Sequence, residues 1–421
     1  DVLGSRGLGD VYKRQIEMTE TKTIRFLSII GCLLAGMAAS CSSRQVAPNE
    51  EGISVQKMTG FPEGEPGFSL GVSACYAGIY QGELLIAGGC NFPETPAAEG
   101  GKKKFYQGIY AADASADSVF VWRKVGQLPV AAAYGVSVST PRGIVCVGGS
   151  NENGSLSAVY RLSLSDDKQA VIVDTLPSLP CTMDNMSGSV VDYTLFVAGG
   201  NVNGKPSNGL YCLNLGNPET GWQQLPDFPG APRVQPVCVG QRKENETLLY
   251  LWGGFSGAFD GRSATLSTDG YCYSPSLQQW QPVSTPIGSD SVPVALGGGA
   301  GIALTDSLIL CTGGINKDIF LSALQREEMM KAAVTGGNQA AVDSLKSEAK
   351  TYMLHPAEWY RFNDRILIYN TRRDKWEEAV RSQDVARAGA ALTGQGQTFF
   401  NINGELKPGI RTPEIAKIMI D

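Results

Sequence analysis

Five times this chain runs four to six apolar residues into a pair of glycines: LLIAGG ending at Gly89, GIVCVGG at Gly149, TLFVAGG at Gly200, LLYLWGG at Gly254 and LILCTGG at Gly314. The first glycines of successive pairs lie 51 to 60 residues apart. Recurrence at such a period means one supersecondary unit repeated along the chain. Each run is short and rich in β-branched, Leu or aromatic residues, as a buried strand is. The paired glycines let the backbone turn and pack closely at the strand end without Cβ crowding.

The units share further marks. An aromatic pair follows several glycine pairs, Tyr211 with Trp222, Tyr273 with Trp280 and Tyr369 with Trp376, and Leu128-Pro129, Leu176-Pro177 and Leu225-Pro226 mark turns. Strand, Gly-Gly, Tyr, Trp, turn is the order of a Kelch blade, and the resemblance covers nearly the whole chain from residue 53 onward. Residues 320–354, LSALQREEMMKAAVTGGNQAAVDSLKSEAKTYMLH, carry apolar residues at helical spacing and read as a helical insertion in the fifth unit. In the sixth unit the glycine pair has become Asn403-Gly404, and the chain stops after a third strand near Ile415 to Ile420. Ile53 to Met58, followed by Phe61-Pro62, is a strand without a unit of its own. The sequence therefore predicts an all-β fold, a six-bladed Kelch-type β-propeller over residues 53–421 whose last blade is completed by the N-terminal strand, which removes exposed sheet edges.

Export is expected as well. Lys22 and Arg25 precede an apolar run from Ile29 to Ala39, and small residues lead to Cys41. The run is too short to span a bilayer and is followed at once by polar residues, as in a secretory signal. Ala38, Ala39 and Ser40 before Cys41 resemble a bacterial lipobox. The expected organisation is residues 1–17 outside the native protein, 18–40 a lipoprotein signal peptide, Cys41 a lipid anchor, 41–52 a linker, and a location in the bacterial envelope as a periplasmic or outer-membrane lipoprotein. Ordinary secretion with Cys41 as a plain thiol is the alternative.

Composition and histidine usage exclude several chemistries. A formal charge of −6 lacks the basic surface that nucleic acid requires. His355 is the only histidine and sits at the end of the helical insertion, so Ser-His-Asp or Cys-His nucleophile systems and multi-histidine metal sites are not expected. No calcium-loop motif is present, and neither metal nor cofactor is expected. Acid–base work falls to carboxylates, lysine or tyrosine. Of ten cysteines, eight lie beyond Cys41, singly spaced, and read as small buried hydrophobes.

One loop stands out. Asn403-Gly404-Glu405-Leu406-Lys407-Pro408-Gly409-Ile410-Arg411-Thr412-Pro413 places more charge at the sixth strand end than a turn needs. Spacing alone leaves it open between a site at the channel mouth and a stiff surface turn with an exposed Glu405–Arg411 pair. The segment closely resembles the signature loop of the sialic acid mutarotases, the N-acetylneuraminate epimerases. GGINKDIF with the helical insertion, WYRFN, the Trp of RRDKW and FPGAPR are similar to that family too. The order is cyclically permuted: in better-known members this loop falls in mid-chain.

The resemblance implies interconversion of the α and β anomers of a small sugar acid, N-acetylneuraminate or a relative. It implies Glu405 as proton acceptor and Arg411 as substrate contact, whose fork suits a carboxylate. Arg233 is expected either as a second carboxylate contact or as a stacking and salt-bridging residue. Asn91 is expected at the substrate, and the insertion from Pro93 to Gln107, with Lys102, Lys103 and Lys104, is either a lid or a solvated face. The competing reading is a Kelch propeller that binds glycan or protein without catalysis.

Overall fold

The computed structural model describes residues 52–243 and 246–420; the expected signal peptide, Cys41 and all but the last residue of the expected linker lie outside the described residues. Among the described residues the fold is all-β with two α-helices. Six four-stranded antiparallel sheets follow one another, the first being Tyr76–Tyr80, Glu83–Ala87, Gly108–Asp113 and Arg123–Gln127. The first strands of the next four begin at Val136, Ser187, Val237 and Ala300. In the sixth sheet Ala391–Gln395, Thr398–Ile402 and Ile415–Ile420 are joined by Ile53–Met58, which pairs antiparallel with Ile415–Ile420 from Ile53 opposite Ile420 to Met58 opposite Ile415. The edge that the last strand would expose is thus covered by the first.

The second strand of each of the first five sheets is the apolar run seen in the sequence, and in the sixth it is Thr398–Ile402. Its side chains are buried on both faces, as with Leu84, Leu85 and Ile86, because another sheet lies on each side. A buried Leu or Ile contributes about 1.5–3 kcal/mol, so these strands dominate the packing. The glycine pairs that end them take left-handed backbone, for example Gly88 at φ 63° and Gly89 at φ 95°. Asn403 holds the same geometry at φ 55°, a region that asparagine tolerates better than most side chains.

Just after each crossing between sheets, one residue also turns left-handed: Ala74, Tyr134, Asn185, Gln235, Gly298 and Gly389. These six form a circuit. Each N–H donates to the carbonyl of the residue before it in the ring, Tyr134 to Ala74 at 3.0 Å, Asn185 to Tyr134 at 2.7 Å, Gln235 to Asn185 at 2.7 Å, Gly298 to Gln235 at 3.0 Å and Gly389 to Gly298 at 2.8 Å. The Ala74 N–H, 2.8 Å from the Gly389 oxygen, returns the chain of bonds to its start. The same residues rim a central cavity of about 160 Å³.

At the outer side the indoles fasten neighbouring sheets. Trp122 donates to the Gly60 oxygen, Trp222 to Pro177, Trp280 to Pro226 and Trp376 to Ser284, at 2.8–3.0 Å. Tyr273 and Tyr369 lie directly opposite Trp280 and Trp376 across their strand pairs, with ring centroids 5.0 and 4.9 Å apart. The recurring Tyr and Trp are therefore a cross-strand contact and an inter-sheet tie.

The segment between the second and third strands of the fifth sheet holds helices α1 (Lys317–Thr335) and α2 (Gln339–Leu354). The Asn316 and Asn338 side chains cap them by accepting from the N–H groups of Ile319 and Ala341. Phe320, Ala323, Leu324 and Met330 of α1 face inward at helical spacing, and Phe320 meets Phe255 edge to face. This packs the helices over the face of the molecule on which the Asn403-Gly404 loop lies.

Candidate functional site

The sixth strand end delivers the charged loop to the central face. Glu405–Lys407 and Ile410–Arg411 form a two-stranded ribbon in which Glu405 pairs with Arg411. The Glu405 N–H donates to the Ala388 oxygen at 2.7 Å and its carbonyl accepts from the Ala388 N–H at 3.1 Å. Ala388 immediately precedes Gly389 of the hydrogen-bond circuit, so the ribbon stands beside the central cavity. Thr412 then passes so near Gly71 that a Cβ there would lie 2.1 Å from the Thr412 carbonyl carbon.

Glu405 and Arg411 form an ion pair, Oε1 to Nη2 2.5 Å, with both side chains almost wholly buried. The expectation of an exposed rim pair is excluded. Around the guanidinium, Nε donates to the Ser73 hydroxyl at 3.1 Å, the Phe92 ring centroid lies 4.8 Å from Cζ, and Tyr134 is an electrostatic neighbour. Burial opposes the arginine's charge, but the Glu405 carboxylate outweighs it and pushes the Arg411 pKa above its ordinary value. Arg411 Nη1 is buried and has no hydrogen-bond partner among the described residues.

Lys407 serves the loop. Its Nζ donates to the carbonyls of His355 at 2.6 Å and Met353 at 3.3 Å, capping the C-terminus of α2. His355 itself stacks on Trp359, with centroids 4.0 Å apart, and takes no part in the site.

Of the three lysines in the 93–107 insertion, Lys102 and Lys104 are exposed, and Lys104 donates to the Pro66 oxygen at 2.8 Å. Lys103 is half-buried and turns inward, its Nζ 5.0 Å from the Tyr134 ring centroid, 5.9 Å from Phe92 and 6.0 Å from Phe105. It brings a cation to the same place as Arg411. A second carboxylate, Asp184, is fully buried next to Asn185 of the circuit. Burial raises its pKa, against hydrogen bonds from Ser155, Asn201 and Asn185 and the charge of Lys103.

Two expected contacts are used differently. Asn91 donates to the Gly67 oxygen at 2.7 Å and the Gly71 oxygen at 2.8 Å, and accepts from the Tyr106 hydroxyl at 2.8 Å. All its hydrogen-bonding groups are engaged in holding the chain beneath the insertion. Arg233, buried, grips Asp269 with two bonds of 2.5 and 3.0 Å, donates to the Gly253 and Ala231 carbonyls and stacks on Phe228 at 5.3 Å. It takes the stacking and salt-bridging alternative. The residues that the sequence did not single out are Tyr134, Ser73 and Asp184. Tyr134 precedes a glycine at a crossing, but the equivalent positions in other sheets hold Ala, Asn, Gln or Gly, so no motif marked it.

A family described as N-acetylneuraminate epimerase matches residues 15–172 and 176–421. The N-acetylneuraminate epimerase of Salmonella paratyphi B is 31% identical over 248 residues, 59% of this chain and 59% of that protein. That of Haemophilus influenzae (strain PittEE) is 32% identical over 240 residues, 57% of this chain and 58% of that protein. The matched segment thus spans less than two thirds of these relatives. A solved structure titled "Structure of YjhT" is similar with a TM-score of 0.48 and 25% identity, covering 58% of this chain and 65% of that one.

Proposed function

Because the chain belongs to the N-acetylneuraminate epimerase family, we propose that it interconverts the α and β anomers of N-acetylneuraminate or a closely related sugar acid. The observation that carries this reading is the buried Glu405–Arg411 ion pair beside the central cavity, at a site that also gathers Tyr134 and Lys103. Anomer exchange needs an acceptor for the proton of the anomeric hydroxyl and a polar site that tolerates the opened chain. Glu405, paired with Arg411, is the acceptor, and a positioned carboxylate base contributes about 10²–10⁴-fold. The buried Nη1 of Arg411 and the ammonium of Lys103 supply the positive field that a sugar carboxylate requires. The steps form no covalent intermediate with the protein.

The proposal includes the architecture: a six-bladed Kelch-type propeller in permuted order, supported by the six sheets, the circuit of hydrogen bonds and the pairing of the N-terminal with the C-terminal strand. It also includes a lipid anchor at Cys41 and a place in the bacterial envelope, resting on the sequence from Met18 to Cys41. The second reading, a channel-face binder of sugar acids without catalysis, is favoured by one observation: Glu405 and Arg411 already satisfy each other at 2.5 Å. Nuclear magnetic resonance of freshly released α-N-acetylneuraminate decides between them. Anomer exchange faster than the spontaneous rate supports the mutarotase; line broadening by bound ligand at the spontaneous rate supports the binder.

A further inference from the structure

A base alone does not complete this reaction, because the ring oxygen must gain a proton as the ring opens and lose it as the ring closes. Resting on the mutarotase reading, we propose that Tyr134 is the acid that exchanges this proton and so works as the partner of Glu405. The phenol and the carboxylate both lie against one guanidinium: Arg411 makes an ion pair with Glu405 at 2.5 Å and interacts electrostatically with Tyr134. The two functional groups thereby share one cationic neighbour, as two groups serving the two oxygens of one anomeric carbon would.

The hydrogen bonding of the phenol points the same way. Arginine has only donors, and the Cys90 thiol donates to the Tyr134 oxygen at 3.3 Å. The thiol's hydrogen occupies one lone pair of the phenol oxygen and the guanidinium beside it can only donate, so the phenol's own hydrogen is left for a third group. Tyr134 is the single aromatic residue among the six that rim the central cavity. It is kept there with φ at 62°, a backbone cost that Asn185, Gly298 and Gly389 at equivalent positions meet more easily. Burial pushes its pKa up, while Lys103 and Arg411 pull against it, so the phenol is protonated at neutral pH and its anion has two cations at hand.

The protons balance. On opening, the anomeric hydroxyl gives its proton to Glu405, its oxygen forms the carbonyl, the bond from the anomeric carbon to the ring oxygen breaks, and that oxygen takes the Tyr134 proton. Rotation about the adjacent carbon–carbon bond presents the other carbonyl face. On closing, the ring hydroxyl returns its proton to the Tyr134 anion and attacks, and the carbonyl oxygen recovers the proton from Glu405.

The test is the mutarotation rate of Tyr134→Phe, which keeps the ring and its packing, measured beside the unaltered protein. We expect kcat to fall about 10²–10⁴-fold with KM within about threefold. Tyr134 replaced by 3-fluorotyrosine, whose phenol is more acidic, keeps the fold if the Phe variant does not, and is expected to shift the alkaline limb of the pH–rate profile downward. A Tyr134→Phe rate within threefold of the unaltered protein, or an unmoved alkaline limb in the fluorinated protein, overturns the assignment of Tyr134 alone. Absence of any acceleration by the unaltered protein overturns the mutarotase reading and this inference with it.

Discussion

Replacing Asn403 with glycine should make the protein more stable and the site worse. Asn403 stands where five other sheets have the first glycine of a pair, at φ 55°, fully buried, and neither its amide nitrogen nor its amide oxygen has a hydrogen-bond partner among the described residues. A buried unsatisfied polar group costs about 1–3 kcal/mol. Glycine removes that cost and relieves the left-handed backbone, against about 0.5–1 kcal/mol for the extra freedom of glycine in the unfolded chain. The backbone bonds at this position, Asn403 N–H to the Glu414 oxygen and Arg387 to the Asn403 oxygen, survive the change. The net expectation is a gain of about 1–2 kcal/mol, or a Tm higher by roughly 1–3 °C. Urea and thermal unfolding measure it. A loss of 1 kcal/mol or more would refute the reasoning and show that the amide is satisfied within the folded protein. Slower mutarotation in the more stable variant is the trade expected if the amide is kept to meet a ligand.

Two further outcomes follow from charge and burial. Glu378 is pushed up by burial but held down more strongly by hydrogen bonds from Arg381 and Ser289, to a pKa of about 2. The unfolded chain therefore binds the extra proton first, and the stability this carboxylate contributes is present above pH about 4.5 and lost as pH falls toward 2. Urea midpoints at pH 6 and pH 3 should differ less in Glu378→Gln than in the unaltered protein; an equal difference contradicts the assignment. Burial pushes the thiols of Cys75 and Cys238 up to about 12, so neither should react with iodoacetamide at pH 8 in the native protein, whereas both should in urea. Mass spectrometry that finds native labelling at the rate of a free thiol contradicts their burial.

The sequence carried the repeat because its cause is local: a buried strand needs a continuous apolar run, and the turn at its end needs left-handed backbone. The same logic made Asn403-Gly404 legible as an altered glycine pair and Ile53–Met58 as the missing strand. The Tyr–Trp pairing was legible for Tyr273 with Trp280 and Tyr369 with Trp376, which face each other across a hairpin, whereas Tyr211 faces Gln224 and not Trp222. What could not be read depends on contacts between distant segments. Lys407 looked like part of the charged site, but α2 ends beside it and uses it as a cap. Three consecutive lysines are equivalent in sequence, and only packing on Phe92, Phe105 and Tyr134 selects Lys103. Arg233 had two open roles, which the bidentate bond to Asp269 resolves. Asn91 was expected at the substrate, but its side chain is taken up by Gly67, Gly71 and Tyr106, from segments whose convergence no motif announces. Tyr134 was invisible because the circuit it belongs to is made of backbone.

The most direct test of the account compares the rate of α to β conversion of N-acetylneuraminate with the unaltered protein and with Glu405→Gln, followed by nuclear magnetic resonance under the same conditions. Glutamine keeps the shape of the side chain and cannot accept the proton. Clear acceleration by the unaltered protein is expected, with a rate about 10²–10⁴-fold lower in the variant and unchanged chemical shifts in the core. Equal acceleration by both proteins would contradict it.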